Sequence, residues 1–162
     1  MDEQLEKYLK KHNIKCKLHE HPAVFTVEES ERVVKSMPDV LHTKNLFLKD
    51  EGNRYFLVCM NAFKRLDLKR LKEELDAQKK LTFASPQELK EHLNLSPGSV
   101  SIFGMIYSKK VILILDKEIW NAEKVGFHPN INTATLELNH ENLERFYNSI
   151  NAEKYILDLP VI

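Results

Sequence analysis

The run Val111-Ile112-Leu113-Ile114-Leu115-Asp116 constrains this chain more than any other stretch, because five successive large apolar side chains leave neither face of a strand fit for water. A strand with one wet face alternates, whereas an unbroken run is the pattern of a strand covered on both faces. It belongs in the centre of a sheet with packing layers on either side. The rest of the chain supplies those layers: 162 residues, 43% of them apolar and 30% charged, suffice for one domain with a sizeable core.

Leu5, Tyr8 and Leu9 recur at helical spacing and predict an amphipathic helix from about Asp2 to His12. Ile14, Cys16 and Leu18 then alternate with Lys15, Lys17 and His19, the pattern of a half-buried strand ending at His21-Pro22. Two capping boxes mark helix starts. Thr26-Val27-Glu28-Glu29 opens a helix that runs to Lys35 or Ser36 before Pro38, and Ser85-Pro86-Gln87-Glu88 opens one that runs to about Leu93. Leu46, Phe47 and Leu48 predict a strand with Lys44 and Asn45 at its entrance. Gly52-Asn53 turns it back into a second strand, Arg54 to Met60, as an antiparallel hairpin.

Asp67 caps a short helix from Leu68 to Leu75, Leu81 to Phe83 is a brief strand, and Val100 to Met105 reads as loop or short strand. Asn132 to Leu138 alternates as a strand, Asn139 caps a helix from His140 to about Ile150, and Lys154 to Asp158 closes as an edge strand. No repeat, low-complexity tract or linker interrupts this order. The expectation is a single α+β domain with a mixed or antiparallel sheet of about six strands and helices packed against it.

No apolar run approaches the roughly 20 residues that cross a bilayer. The acidic start, Met1 to Lys7, lacks the basic residues and apolar core of a signal peptide, so a cytoplasmic protein with no membrane partner is expected. Cys16 and Cys59 belong to no CxxC pair and read as buried thiols in strands. A formal charge of zero argues against avid, sequence-independent binding to DNA or other long nucleic acid, which draws on many phosphate contacts. It leaves room for a partner that offers few phosphates, such as one RNA end. The basic clusters Lys64-Arg65, Lys69-Arg70 with Lys72, Lys79-Lys80 and Lys109-Lys110 are more often solvated faces than binding patches.

The chain has no G-x-S-x-G elbow, Walker loop, G-x-G-x-x-G turn, HExxH helix or EF-hand loop. His19 and His21 flank Glu20 at a metal-like spacing, but no third nitrogen or thiolate ligand lies at a telling distance, and no metal is expected. What remains is a set of polar or flexible residues at strand ends and in loops: His21-Pro22 with Phe25-Thr26, Lys44-Asn45, Gly98 to Gly104, and His128-Pro129-Asn130. Glycines let backbone N–H groups approach a ligand closely, and a lysine supplies a point charge for phosphate. Singly, Lys44 is a solvated strand end and His128 a structural residue before a turn. Together the four segments suggest a cleft.

Their order, His-Pro-Ala-Val-Phe-Thr-Val-Glu-Glu at 21–29, Lys-Asn-Leu-Phe-Leu-Lys-Asp at 44–50, Gly-Ser-Val-Ser-Ile-Phe-Gly at 98–104 and His-Pro-Asn-Ile-Asn-Thr-Ala-Thr at 128–135, resembles the prolyl-tRNA editing family. These are free-standing relatives of the editing domain inserted in bacterial prolyl-tRNA synthetase. The resemblance covers essentially the whole chain, making residues 1–162 one aminoacyl-tRNA editing domain, and is greater to the alanyl-tRNA(Pro) deacylase branch than to the cysteinyl-tRNA(Pro) branch. It implies hydrolysis of the ester joining a wrong amino acid to the 3′ adenosine of tRNA(Pro), without a metal or other cofactor. The implied partners are the mischarged tRNA end and, beyond it, the synthetase or translation machinery. A non-catalytic module that binds an aminoacyl-tRNA or nucleotide end is the alternative.

By the same resemblance Lys44 contacts the terminal phosphate or ribose, and Asn45 orients the substrate. The loop Gly98, Ser99, Ser101, Gly104 holds the carbonyl oxygen or amino group through its backbone, and His128 positions water with the ribose 2′-hydroxyl assisting. His21 joins the substrate-binding set, and Phe25, Thr26, Ile102 and Phe103 form the pocket wall, with ordinary core packing the competing reading for the two phenylalanines. The family usually carries proline where this chain has Ile102, a departure that bears on the pocket's shape and on the choice of alanine.

Overall fold

A computed structural model of the chain describes residues 1–24, 26–108 and 110–162, without the side chain of Val27. Helix α1 (Glu3–Lys11) begins where the Asp2 carboxylate accepts from the Gln4 N–H, and it buries Leu5 and Leu9. Strand β1 is shorter than its alternation predicts, Lys17–Glu20, and Leu18 is exposed rather than inward because β1 lies at the edge of the sheet. Helix α2 (Val27–Ser36) starts at the Thr26 cap, whose hydroxyl accepts from the Glu29 N–H at 3.1 Å. Strands β2 (Leu41–Lys49) and β3 (Tyr55–Asn61) form the expected hairpin, but β2 begins at Leu41, so Lys44 and Asn45 sit inside the strand and not at its entrance.

Helix α3 (Leu68–Glu74) is capped by Asp67, and β4 (Thr82–Phe83) leads into α4 (Pro86–Leu93), where both halves of the Ser85–Glu88 capping box are made. The segment read as loop or strand is a 3-10 helix, Ile102–Tyr107, whose first turn is closed by the Ser101 hydroxyl accepting from the Phe103 N–H. After β5 (Val111–Asp116) come two short elements that carry no strong sequence signal, α5 (Lys117–Asn121) and β6 (Lys124–Phe127). Strand β7 (Ala134–Asn139), helix α6 (His140–Ser149) and β8 (Lys154–Leu157) complete the chain.

The strands form one mixed sheet in the order β1-β7-β6-β2-β3-β5-β8, with β4 pairing β2 beside that path. The described residues thus give eight strands where about six were expected. All of β5 is buried and runs parallel to both neighbours, β3 and β8, as its unbroken apolar run requires. Its alternate residues feed two cores. Val111, Leu113 and Leu115 pack with Leu5, Leu93, Phe103, Phe127 and Phe146 on one face, while Ile112 and Ile114 pack with Leu48, Val58, Met60 and Leu71 on the other.

The β2–β3 turn is fixed by Asp50, which is 3% exposed. Its Oδ1 accepts from the Gly52 and Arg54 amides at 2.9 Å, and its Oδ2 from the Arg54 Nε and the Gln78 amide at 3.1 Å. Burial alone would raise this carboxyl's pKa; the hydrogen bonds to its ionised form outweigh it and hold the pKa below the ordinary value. A group whose folded pKa is depressed stabilises the protein above its unfolded pKa and loses that contribution as pH falls through the folded value. Asp50→Ala is therefore expected to cost about 2–3 kcal/mol by urea unfolding near neutral pH. The gap from wild type should narrow below about pH 4; a gap independent of pH would contradict the assignment.

Candidate functional site

Strand β2 changes partners along its length. Leu41 and His42 run parallel to Val125 and Gly126 of β6, while Leu48 and Lys49 pair with β4. Between those points the edge of β2 away from β3 has no strand beside it among the described residues. Backbone bonds show which groups face this gap. The Ala62 N–H donates to the His42 carbonyl on the β3 side, and the Ala84 N–H donates to the Phe47 carbonyl on the other. Alternation along the ladder then turns the amide and carbonyl of Asn45 into the gap, and no described residue bonds either of them.

A cavity of ≈ 140 Å³ opens where β6 and β2 part. His21, His42, Thr43, Gly126, His128 and Thr135 line it from the sheet, Ser30, Val33 and Val34 from α2, and Gly98 from the loop after α4. The Thr43 hydroxyl donates to the Gly126 carbonyl at 2.7 Å, tying β2 to β6 at the last point where they touch. Gly126 suits this approach because a Cβ there would come within 2.9 Å of Thr135 and 3.0 Å of Val40. The chain returns from His128 to Thr135 through a left-handed turn at Asn130 (φ 63°), which lets the Thr133 carbonyl accept from the His21 N–H at 2.9 Å.

Each of the three cavity imidazoles is oriented by a backbone carbonyl, which can only accept, so the ring nitrogen against it carries the hydrogen. His128 Nδ1 donates to the Ala134 carbonyl at 3.1 Å, His42 Nε2 to the Met37 carbonyl at 3.4 Å, and His21 Nδ1 to the Pro22 carbonyl at 2.9 Å. In the neutral rings the opposite nitrogen is an acceptor. His21 uses its own on the Thr135 hydroxyl at 3.0 Å, whereas His128 Nε2 and His42 Nδ1 have no partner among the described residues. Burial lowers the pKa of His128 against the opposing pull of the Ala134 carbonyl, with the nearby His21 adding to the shift. Burial likewise lowers that of His42, and His128, His21 and His19 add to it. The cavity therefore offers two uncharged acceptors, suited to a water or an ammonium.

The sequence-derived residues are distributed around this cavity unequally. His21, Gly98 and His128 line it. Asn45 lies in the adjoining groove with Gly98, its Oδ1 accepting from the Cys59 thiol at 2.6 Å. Burial pushes that thiol's pKa well up, so Cys59 is a packed donor and not a nucleophile. Lys44 projects on the same sheet face as His42, two residues along, where burial first and then the Arg65 charge lower its pKa. Gly98 has φ +85° with open space where a side chain would stand.

Ile102 and Phe103 do not line the cavity; both are fully buried in the core, where Phe103 stacks edge-on against Phe127 and Phe146. They face inward because the 3-10 helix rolls its first turn into the core. Ser101 is buried as that helix's cap, and Gly104 packs so closely that a Cβ would meet Leu95 at 2.6 Å. Ser99 belongs to the turn closed by its N–H on the Ser96 carbonyl. Thr26 is exposed and acts on α2 as its cap, while Phe25 lies outside the described residues. Among the described residues the apolar lining is Val24, Val33, Val34, Ala62, Phe63 and Phe127. Sequence reasoning also missed His42, Thr43 and Thr135, which are visible only once β6 is seen to pair with β2. Among the described residues no group of three or more His, Cys, Asp or Glu side chains could hold a metal ion, and no helix is long and apolar enough to cross a membrane.

Loop placement has its own anchor. Glu88 on α4 accepts from Lys49 at 3.0 and 3.1 Å and from the Tyr55 hydroxyl, pinning the helix that delivers Gly98 to the β2–β3 pair. The Tyr55 hydrogen bond first, then the Ser85 amide, hold the Glu88 pKa down to about 2.

The aminoacyl-tRNA editing domain model matches residues 21–146 of this chain. The prolyl-tRNA editing protein ProX of Acetoanaerobium sticklandii is 37% identical over 131 residues, 79% of each chain. Prolyl-tRNA synthetase associated domain-containing protein 1 of Danio rerio is 37% identical over 147 residues, covering 88% of this chain and 79% of the relative. A crystal structure of a candidate trans-editing enzyme for prolyl-tRNA synthetase superposes with a TM-score of 0.73 at 18% identity over 98% of both chains, a likeness of fold.

Proton NMR titration of the imidazole C–H resonances tests the cavity's electrostatics. His42 and His128 are expected to titrate with midpoints below the ordinary 6.5, and midpoints at or above it would contradict the assignment of two neutral acceptors.

Proposed function

Because the chain belongs to the aminoacyl-tRNA editing domain family, we propose that it is a trans-editing deacylase that hydrolyses the ester of mischarged tRNA(Pro), with alanine as the amino acid removed. The observation that carries this reading is the small cavity with two uncharged imidazole acceptors at the point where β2 and β6 part. An aminoacyl ester is already an activated acyl group, so placement, a positioned water and stabilisation of the developing oxyanion are enough. No metal is required for such a reaction, and it takes place where tRNA is charged, in the cytoplasm.

In the reaction, water held by His128 Nε2 adds to the ester carbonyl; collapse of the tetrahedral intermediate breaks the bond to the ribose 3′ oxygen, which leaves with a proton as the free hydroxyl. The ribose 2′-hydroxyl assists that transfer. Lys44 contacts the terminal phosphate or ribose, and the Asn45 amide facing the gap is a donor for the oxyanion, with the Gly98 loop closing over the amino acid. His42 Nδ1 accepts from the α-ammonium.

Size sets an upper bound on what the cavity accepts. A void of about 150 Å³ holds one benzene-sized molecule, so a cavity of ≈ 140 Å³ walled in part by α2 valines admits an alanyl group and excludes side chains larger than a benzene ring, with the choice among smaller ones left to the polar groups that line it. One methylene is worth only about 1–3 kcal/mol by attraction, and exclusion by volume supplies what attraction cannot.

Purified protein incubated with alanyl-tRNA(Pro) should release free alanine while leaving prolyl-tRNA(Pro) intact, in a panel that also carries Ser, Cys and Thr. Lys44→Ala should lower kcat/KM by about 100-fold or more. Binding of uncharged tRNA with no turnover of any panel member would favour the non-catalytic module, and undiminished activity in Lys44→Ala would remove Lys44 from the site.

A further inference from the structure

Lys44 also opens onto a groove that the reaction at the cavity does not use. Its other walls are Arg65, Leu68, Lys69 and Phe83, on the sheet face that carries α3. Lys44 and Arg65 repel one another, and neither of them nor Lys69 has an acidic partner among the described residues. Asp67 lies in the same groove, but its carboxylate accepts from the Arg70 N–H at the head of α3. Past Lys69 the groove continues into a second one, where Lys69, Lys72 and Lys80 stand with Glu73 and with Lys79, which pairs with Glu51 at 3.8 Å. In a chain of zero formal charge this is a local cationic strip, and unpaired neighbouring cations persist most readily where an anion completes them.

The strip is edged by an aromatic ring. Phe83 is 61% exposed and lies between this groove and the one that holds Asn45 and Gly98. An apolar ring left in water beside a row of cations is the combination that binds single-stranded nucleic acid, the cations tracking phosphates and the ring stacking a base. A duplex keeps its bases stacked internally and has no use for the ring.

We propose that this groove is the track for the single-stranded 3′ end of RNA, with phosphates at Arg65 and Lys69, a base stacked on Phe83, and the terminal nucleotide delivered to Lys44. The proposal rests on the tRNA-editing reading above and extends it from the aminoacyl group to the nucleotides that precede it. It also gives the basic clusters around Arg65 and Lys69 a common purpose.

The test is fluorescence anisotropy of the full-length protein with a short labelled single-stranded RNA ending in CCA. Wild type should bind with an affinity that falls as salt rises. Phe83→Ala and Lys69→Glu should each weaken binding roughly ten-fold, with Phe83→Tyr retaining it. Both residues are exposed, so folding is spared, and circular dichroism checks that it is. Wild-type affinity in both variants, or equal losses with a blunt RNA duplex, overturns the track. The assay needs no turnover, so the two readings fail separately. RNA binding that depends on Phe83 without deacylation of any charged tRNA sinks the proposed function and keeps the track, while alanine release with an unchanged KM in Phe83→Ala sinks the track and keeps the function.

Discussion

The structure depends on one strand changing neighbours. β2 leaves β6 after His42 and does not meet β4 until Leu48, so the middle of a strand, ordinarily the most fully bonded part of a sheet, keeps one edge open. An open edge at a sheet's margin is a liability because other chains can add to it. Here it is flanked on several sides. The β6–β7 turn, the end of α2 and the Gly98 loop stand around it, leaving a cavity and a groove where another strand would add. Ligands of open sheets containing parallel strands gather where adjacent strands diverge, for the same geometric reason.

The two cores on either side of the sheet make that parting rigid. β5 and β3 hold β2 on one side through side chains that are almost all fully buried, and Phe103, Phe127 and Phe146 lock the 3-10 helix against β6 on one face. The cavity is thereby set by packed backbone, with Gly126 permitting a close approach and Thr43 bonding across it. Burial lowers the pKa of His42 and His128 against the opposing pull of their carbonyl partners, which favours the neutral form of both. Neutral acceptors in a small cavity suit a reaction that needs water placed and no strong base.

Much of the scaffold was legible in the chain because its signals are local. The capping residues Thr26, Asp67, Ser85 and Asn139 each open a helix where the sequence puts them, and β5 is central for the reason its run implies. β6 was not legible: Lys124-Val125-Gly126-Phe127 is short and carries a glycine, and its strand character comes from pairing with β2 and β7, which are far away in sequence. Missing β6 hid His42, Thr43 and Thr135. The Gly98 loop was expected to hold the substrate through its backbone as far as Gly104, with Ile102 and Phe103 as pocket wall, yet from Ser101 onward it turns inward. Nothing in Ile102-Phe103 distinguishes a wall from a core residue until α6 supplies Phe146.

The most direct test of the account is a crystal structure with an alanyl-adenosine analogue in which an amide replaces the ester. The alanyl group is predicted to occupy the space between His42 and His128, with its carbonyl oxygen toward the Asn45 amide and the ribose beside Lys44. An alanyl group bound elsewhere, with the parting of β2 and β6 empty, would contradict it.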